Sequence, residues 1–305
     1  MNVLAKVRHL RDLQTAASLP ESSKFWLEKG IEPSDVRIHT TRKQRGGYRE
    51  VCQPVDDELL RLQKRLKEFI DRKVLTPHQS VHGFTRGRST VSNAKVHLGA
   101  RAILTIDISD FFASICRARV VASLQGSGAN SEVAFAIANT CTYNGVLATG
   151  FSTSPVISNL VFRPLDDIFD AFASSHGITY SRYADDLTFS GDEVTDDMLA
   201  HVNDTLVSQG FLVNSKKVRF QRRGHRQVVT GFAIQDASRL RVPKWQKKAL
   251  RHDLYCSETF GLEDQARFRN MTEEEFRVHL LGKINYLAAV EPLLAADMRA
   301  QLDNL

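Results

Sequence analysis

The chain has 305 residues, 42% of them hydrophobic and 25% charged, which is ordinary globular usage with enough apolar residues for more than one packed lobe. No run of about 18 apolar residues occurs, and the opening MNVLAKVRHLRDLQ mixes charges where a secretion signal would be apolar, so neither a membrane span nor export is expected and a cytoplasmic location is. The formal net charge is +6, yet Lys216 to Arg251 holds twelve Lys or Arg against one acid, Asp236, which leaves 29 basic and 34 acidic residues elsewhere.

In chain order, the first forty residues read as helical, with Ser22-Ser23 ahead of Phe25, Trp26 and Leu27 as a helix start. VRIHTTRKQRGGYREVCQP alternates around a basic, glycine-containing centre, which predicts a hairpin with Arg42, Lys43, Arg45, Gly46 and Gly47 at its tip, ended by Pro54. From Asp56 to Lys73, the apolar Leu59, Leu62, Leu66, Phe69 and Ile70 recur at helical spacing, with acids first and bases last. HGFTRGRSTVSNAKVH follows as a loop and leads into AILTID, a buried strand that stops at a carboxylate.

Ser131 to Cys141 predicts a helix, and VISNLVFRPLDDIFDAF a second one after the turn-rich GFSTSP. ITYSRYADDLTFSG predicts a tight hairpin around Ala184-Asp185-Asp186, VVTGFAI one more strand, and the chain from Pro243 onward helices. With no repeat and no long linker, one multilobed unit is expected, of class α+β. Cys52, Cys116, Cys141 and Cys256 form no CxxC pair, which speaks against zinc and fits a reducing compartment.

Asp107 at a strand end and Asp185-Asp186 at a hairpin tip each have a plain structural reading, as a strand terminus and as turn chemistry. Brought together they make a concentrated all-oxygen site of the kind hard Mg²⁺ ions take, and two such ions can drive an in-line displacement at phosphorus. Without a cation, three adjacent acids would repel and raise one another's pKa. The basic stripe fits a polyanion, and equally a solvated basic face.

In that order, ILTIDISDFF, GFSTSPVISN and YADD resemble three core motifs of reverse transcriptases, over roughly residues 35 to 290. NAKVH (Asn93 to His97) and the triplet Val229-Thr230-Gly231 are similar to the two signatures of the bacterial retron type. The resemblance implies a right-hand fold of fingers, palm and thumb: N-terminal helices and fingers over 1–100, palm with inserted fingers elements over 101–235, helical thumb over 236–305.

It also implies roles. Asp107, Asp185 and Asp186 would hold two Mg²⁺ ions, for which Mn²⁺ can substitute, with the Ile108 carbonyl as a further ligand. Arg49 would lie along the incoming triphosphate with Lys43 as its companion, Phe112 under the deoxyribose, and Thr149, Gly150 and Tyr183 beside the nucleotide. Thr149 replaces the family's usual glutamine. Lys217, with Lys216 as a rival, would donate a proton to pyrophosphate.

Asn93, His97, Val229, Thr230, Gly231, Lys244, Lys247, Lys248 and Arg251 are the implied RNA-binding residues, and Trp245 either stacks on a base or packs in the thumb. The implied function is RNA-directed DNA synthesis in a retron. The enzyme would copy part of its own structured non-coding RNA into a branched RNA-DNA product (msDNA) in anti-phage defence, using dNTPs, an effector protein encoded nearby and a host RNase H. Two other readings stand beside it: another bacterial reverse transcriptase (intron-encoded, diversity-generating or abortive-infection type), and a polymerase-derived RNA-binding scaffold. Three intact clustered acids favour an active enzyme.

Overall fold

The structure is a computed structural model and describes residues 3–42 and 47–305. The N-terminal region holds two short helices, α1 (Leu10–Ala16) and α2 (Lys24–Lys29), with single 3₁₀ turns between and around them. This is less helix than the sequence suggests, because Pro20 and Pro33 interrupt it. Strands β1 (Val36–Arg42) and β2 (Tyr48–Pro54) pair antiparallel from Val36 opposite Pro54 to Arg42 opposite Tyr48, so the expected hairpin forms. Its tip, with Lys43, Arg45 and Gly46, lies outside the described residues.

Helix α3 (Asp57–Phe69) starts where the Asp56 side chain accepts from the Glu58 amide, and buries Leu59, Leu62, Leu66 and Phe69. Each buried side chain of this kind contributes roughly 1.5–3 kcal/mol. The last expected turn is instead a π-turn over Ile70–Val74. The stretch predicted as loop contains a short helix, α4 (Thr90–Lys95), started by a reciprocal Ser89–Ser92 cap.

Next come β3 (Ala102–Asp107), α5 (Arg117–Gly126), α6 (Ser131–Cys141), the two-residue strands β4 (Thr142–Tyr143) and β5 (Val146–Leu147), and α7 (Ser154–Ser175). They are followed by β6 (Thr179–Tyr183), β7 (Asp186–Gly191), α8 (Asp196–Ser208), β8 (Arg219–Arg222), β9 (Val228–Val229) and β10 (Phe232–Ala233). VVTGFAI is therefore not one strand: Thr230 at φ 42° and Gly231 at φ 89° turn it back on itself. Helices α9 (Lys244–Phe260), α10 (Leu262–Phe268), α11 (Glu273–Ala288) and α12 (Pro292–Asp303) complete the chain.

The central sheet has the order β6-β7-β3-β8, all antiparallel. Its pleat explains the continuous apolar run of β3. Ala102, Leu104 and Ile106 enter the large core shared with α3, α5, α6 and α7, while Ile103, on the other face, enters a second core built with α9, α11 and α12. Asp107 has the parity of Ile103 and so lies on the face away from the large core. Among the described residues no helix is long and apolar enough to cross a membrane.

Candidate active site

Antiparallel register puts Asp107 of β3 directly opposite Asp186 of β7, and directly opposed side chains share a face about 4.5–5.5 Å apart at Cβ. Asp185 sits in the two-residue turn between β6 and β7, where Ala184 takes φ 59° and the Asp185 carbonyl accepts from the Ile108 amide at 3.0 Å. Three aspartates thus meet at one end of one sheet, with Ile108 pinned among them. On the opposite side of β3, the turn before β8 brings Lys217 Nζ to 2.7 Å from Asp107 Oδ1, and Asn214 Nδ2 to 3.3 Å from Oδ2.

The electrostatics show a site short of positive charge. Burial raises the Asp185 carboxyl and Asp107 adds to it, opposed by its own backbone amide, Lys217 and Arg49. Burial and then the charges of Asp185 and Asp107 push Asp186 up to about 7 against the pull of Lys217 and Arg219. Asp186 is at the solvent-exposed end of its strand, so water screens part of that shift. Although the three aspartates share this end of the sheet, among the described residues no three His, Cys, Asp or Glu side chains are close enough together to hold a metal ion as they stand. The donor set is all hard oxygen, with the Asp185 and Asp186 carboxyls raised, and fits Mg²⁺ rather than a soft metal.

The turn is held from behind by a buried network that the motifs do not reveal. Arg182, fully buried, donates from Nε and Nη2 to Asp166 of α7 at 2.8 and 2.7 Å, and from Nη1 to Asn159 Oδ1 and the Ala184 carbonyl, both at 3.1 Å. The Tyr180 hydroxyl donates to Asp166 at 2.8 Å. Asp166 hides inside the apolar pattern of α7; the only sequence signal was a charge at each of two buried positions. The segment before α4 locks the outer edge, since the Arg182 backbone amide donates to the Ser80 carbonyl and the Arg182 carbonyl accepts from the His82 and Gly83 amides. A Cβ on Gly83 would lie 2.2 Å from the Ala184 nitrogen, so only glycine lets the two chains meet.

Around the acids, Arg49 is exposed on β2 and near enough to influence Asp185. The β1–β2 hairpin is fastened to the turn before α7 where the Cys52 amide donates to the Thr149 carbonyl at 2.7 Å and a Cβ on Gly150 would strike the Cys52 oxygen. Tyr183 pairs with Asp186 across the β6–β7 hairpin. Phe112 is half-buried against the large core, and Phe84 stacks on it at 6.1 Å. Phe84, at φ 58°, was not singled out in the sequence.

Several expected RNA contacts need correction. Asn93 and His97 are 0% and 1% exposed, which leaves their side chains no face for RNA. His97 instead bonds Ser190 Oγ at 2.6 Å and Ser181 Oγ at 2.7 Å, tying β7 to β6 on the face that carries the aspartates, and burial holds it neutral with its pKa down to about 3. Val229 is buried too, while Thr230 donates to the Thr90 carbonyl and Gly231 abuts the Tyr286 hydroxyl. The two signatures meet each other inside the protein. Lys247 is engaged by Glu291 at 2.9 Å, whereas Lys244, Lys248 and Arg251 are exposed.

The family described as reverse transcriptase (RNA-dependent DNA polymerase) matches residues 41–268. The chain belongs to that family. Retron Mx65 reverse transcriptase of Myxococcus xanthus is 34% identical over 270 residues, covering 82% of this chain and 60% of that protein. Retron Ec86 reverse transcriptase of Escherichia coli is 30% identical over 235 residues, covering 74% of this chain and 72% of that protein, which places this reverse transcriptase with the retron type. Its fold is accordingly the right-hand polymerase fold, with the β6-β7-β3-β8 sheet as palm. Among solved structures, apo telomerase from Candida tropicalis is similar at a TM-score of 0.47 and 13% identity, over 70% of this chain and 56% of that one.

Proposed function

We propose that this reverse transcriptase copies part of its own structured non-coding RNA into a branched RNA-DNA product (msDNA), with fingers over 1–100, palm over 101–235 and thumb over 236–305. The observation that carries the catalytic part is the register of Asp107 against Asp186 with Asp185 in the adjoining turn, faced by Lys217 and Arg49. Asp107, Asp185, Asp186 and the Ile108 carbonyl would hold Mg²⁺, or Mn²⁺ in its place. Bound there, the ions supply activation of the priming hydroxyl and neutralisation of phosphate charge.

The chain's own residues do the rest. Arg49, with Lys43, steadies the triphosphate of a dNTP, and Thr149, Gly150 and Tyr183 shape its seat. Phe112 closes the space a ribose 2′-hydroxyl would need. Lys217 carries the proton that pyrophosphate takes as it leaves. A cytoplasmic setting supplies a host RNase H and an effector protein encoded nearby, in keeping with a role in anti-phage defence.

Asp185→Asn and Asp186→Asn are each expected to abolish primer extension, several kcal/mol of transition-state stabilisation being lost with a metal ligand, while gel-shift affinity for RNA stays near wild type. Near-normal extension by both variants would sink the assignment of these acids. The retron part is tested by treating the nucleic acid that copurifies with the protein with a debranching enzyme. Product DNA unaffected by that treatment would leave reverse transcription without the branched product.

A further inference from the structure

Helices α9 and α11 lie in the same lobe without closing on one another, and a cavity of about 470 Å³ opens between them, lined by Trp245, Leu250, His279, Gly282, Tyr286 and Leu287. Gly282 keeps it open. It sits mid-helix in α11, where glycine costs about 0.5–1 kcal/mol relative to alanine, and a Cβ there would meet nothing within 4 Å. No close packing and no unusual backbone angle calls for glycine at this point. Its effect is empty volume.

The walls suit a flat, apolar-faced ring. Trp245 is 54% exposed at the mouth, and Tyr286 is held by stacking on Phe232 at 4.6 Å and 16°. The cations inside are neutralised, Lys247 by Glu291 and Lys283 by Asp253. Those outside have no carboxylate partner among the described residues: Lys244, Lys248 and Arg251 are exposed along α9, and the Arg226 guanidinium lies 5.3 Å from the Trp245 ring. An apolar, aromatic-walled pocket with a basic rim complements a nucleotide whose base is free of the stack and whose phosphates run past the opening. An uncharged protein side chain would use the pocket but not the rim.

We propose that the α9–α11 cavity receives an unpaired nucleobase of bound RNA, its base against Trp245 and Tyr286 and its flanking phosphates on Lys244, Lys248 and Arg226. The proposal rests on the protein being an RNA-binding polymerase and adds to it a site that recognises loops or bulges, since bases in a duplex stay stacked and cannot enter.

The test compares an RNA hairpin carrying an unpaired loop with a blunt duplex of the same stem. Of the two tryptophans in the chain, Trp26 is 7% exposed, so quenching of emission reports chiefly on Trp245. The wild type should prefer the hairpin about tenfold, with quenching. Gly282→Leu, which fills the cavity at a position with room for a side chain, should lose that preference while keeping its melting temperature and its affinity for the duplex. Trp245→Ala should lose it too, and Trp245→Phe should keep most of it. An unchanged preference in Gly282→Leu would overturn the proposal. So would unchanged RNA affinity combined with loss of a copurifying protein, which would give the pocket to a protein partner. If the wild type bound neither RNA, the RNA-binding reading itself would fall along with the site.

Discussion

A carboxylate set beside two others weakens a fold until a cation joins it. Asp186, pushed up to about 7 by burial and then by Asp185 and Asp107, prefers its proton in the folded, metal-free protein. Its folded pKa lies above its unfolded one, so stability falls as pH rises from about 4 to 7. Asp186→Asn should therefore melt above the wild type at about pH 7.5 in chelator and match it near pH 4, with Mg²⁺ raising the wild type more than the variant. Melting curves that keep the same gap at both pH values would show that the charge at Asp186 is not felt. The role proposed for Phe112 is one of volume rather than charge. It packs on the large core and stacks with Phe84, so if it closes the space of a ribose 2′-hydroxyl, Phe112→Val should raise ribonucleotide relative to deoxyribonucleotide incorporation by about tenfold or more, as a steric exclusion is removed. Measuring incorporation efficiency for the two sugars decides it: an unchanged ratio makes Phe112 a packing residue only.

The β6–β7 hairpin is the element on which the proposed chemistry depends, and Arg182 bonds the Ala184 carbonyl in its turn. Removing one partner of a buried ion pair costs about 3–5 kcal/mol, so Arg182→Met should be strongly destabilised in urea. Adding Asp166→Leu and Tyr180→Phe removes the buried carboxylate and the hydroxyl that would be left unpaired, so that only Asn159 Oδ1 and the Ala184 carbonyl lose a donor, and should recover most of that loss. Primer extension should not recover, because the bond from Arg182 to the Ala184 carbonyl is still missing. Extension that returned with stability would reduce the network to packing. The hairpin itself was legible, since alternation around Asp185-Asp186 fixes both its strands and its tip. Its clamp was not, because Asp166 stands sixteen residues from Arg182 in a helix whose apolar pattern masks it. The strand β8 was equally hidden: RFQR reads as a charge run, yet it is an edge strand pairing with β3, and its arginines reach solvent. The fold-back at Thr230 could not be foreseen from residue preference, a β-branched residue at positive φ being a rare choice.

At the scale of the whole molecule, charge is divided. A chain whose remainder is mildly acidic carries its basic excess between Lys216 and Arg251, where it runs from the sheet edge beside Lys217 along α9. The stripe was readable in the sequence, but which of its members are free was not, because the partners come from far along the chain. Lys247 meets Glu291 of the segment before α12, and Asp236 engages Arg239 and Arg241. NAKVH was readable as a string and misleading as a surface, since His97 points its chemistry at Ser181 and Ser190 inside the palm. Only an unpaired cation can release counterions from phosphate on binding. Lys244→Gln, Lys248→Gln and Arg251→Gln should each lower the slope of log affinity against log salt for RNA by about one unit. Lys247→Gln should leave the slope where it is and instead destabilise the lobe by about 1 kcal/mol, because Glu291 loses its partner. Salt titrations of the four variants, set beside their melting curves, separate the two behaviours. A slope that falls for Lys247→Gln as much as for its neighbours would mean that the Glu291 pair opens when RNA arrives, and that the whole stripe, not its exposed half, carries the strand.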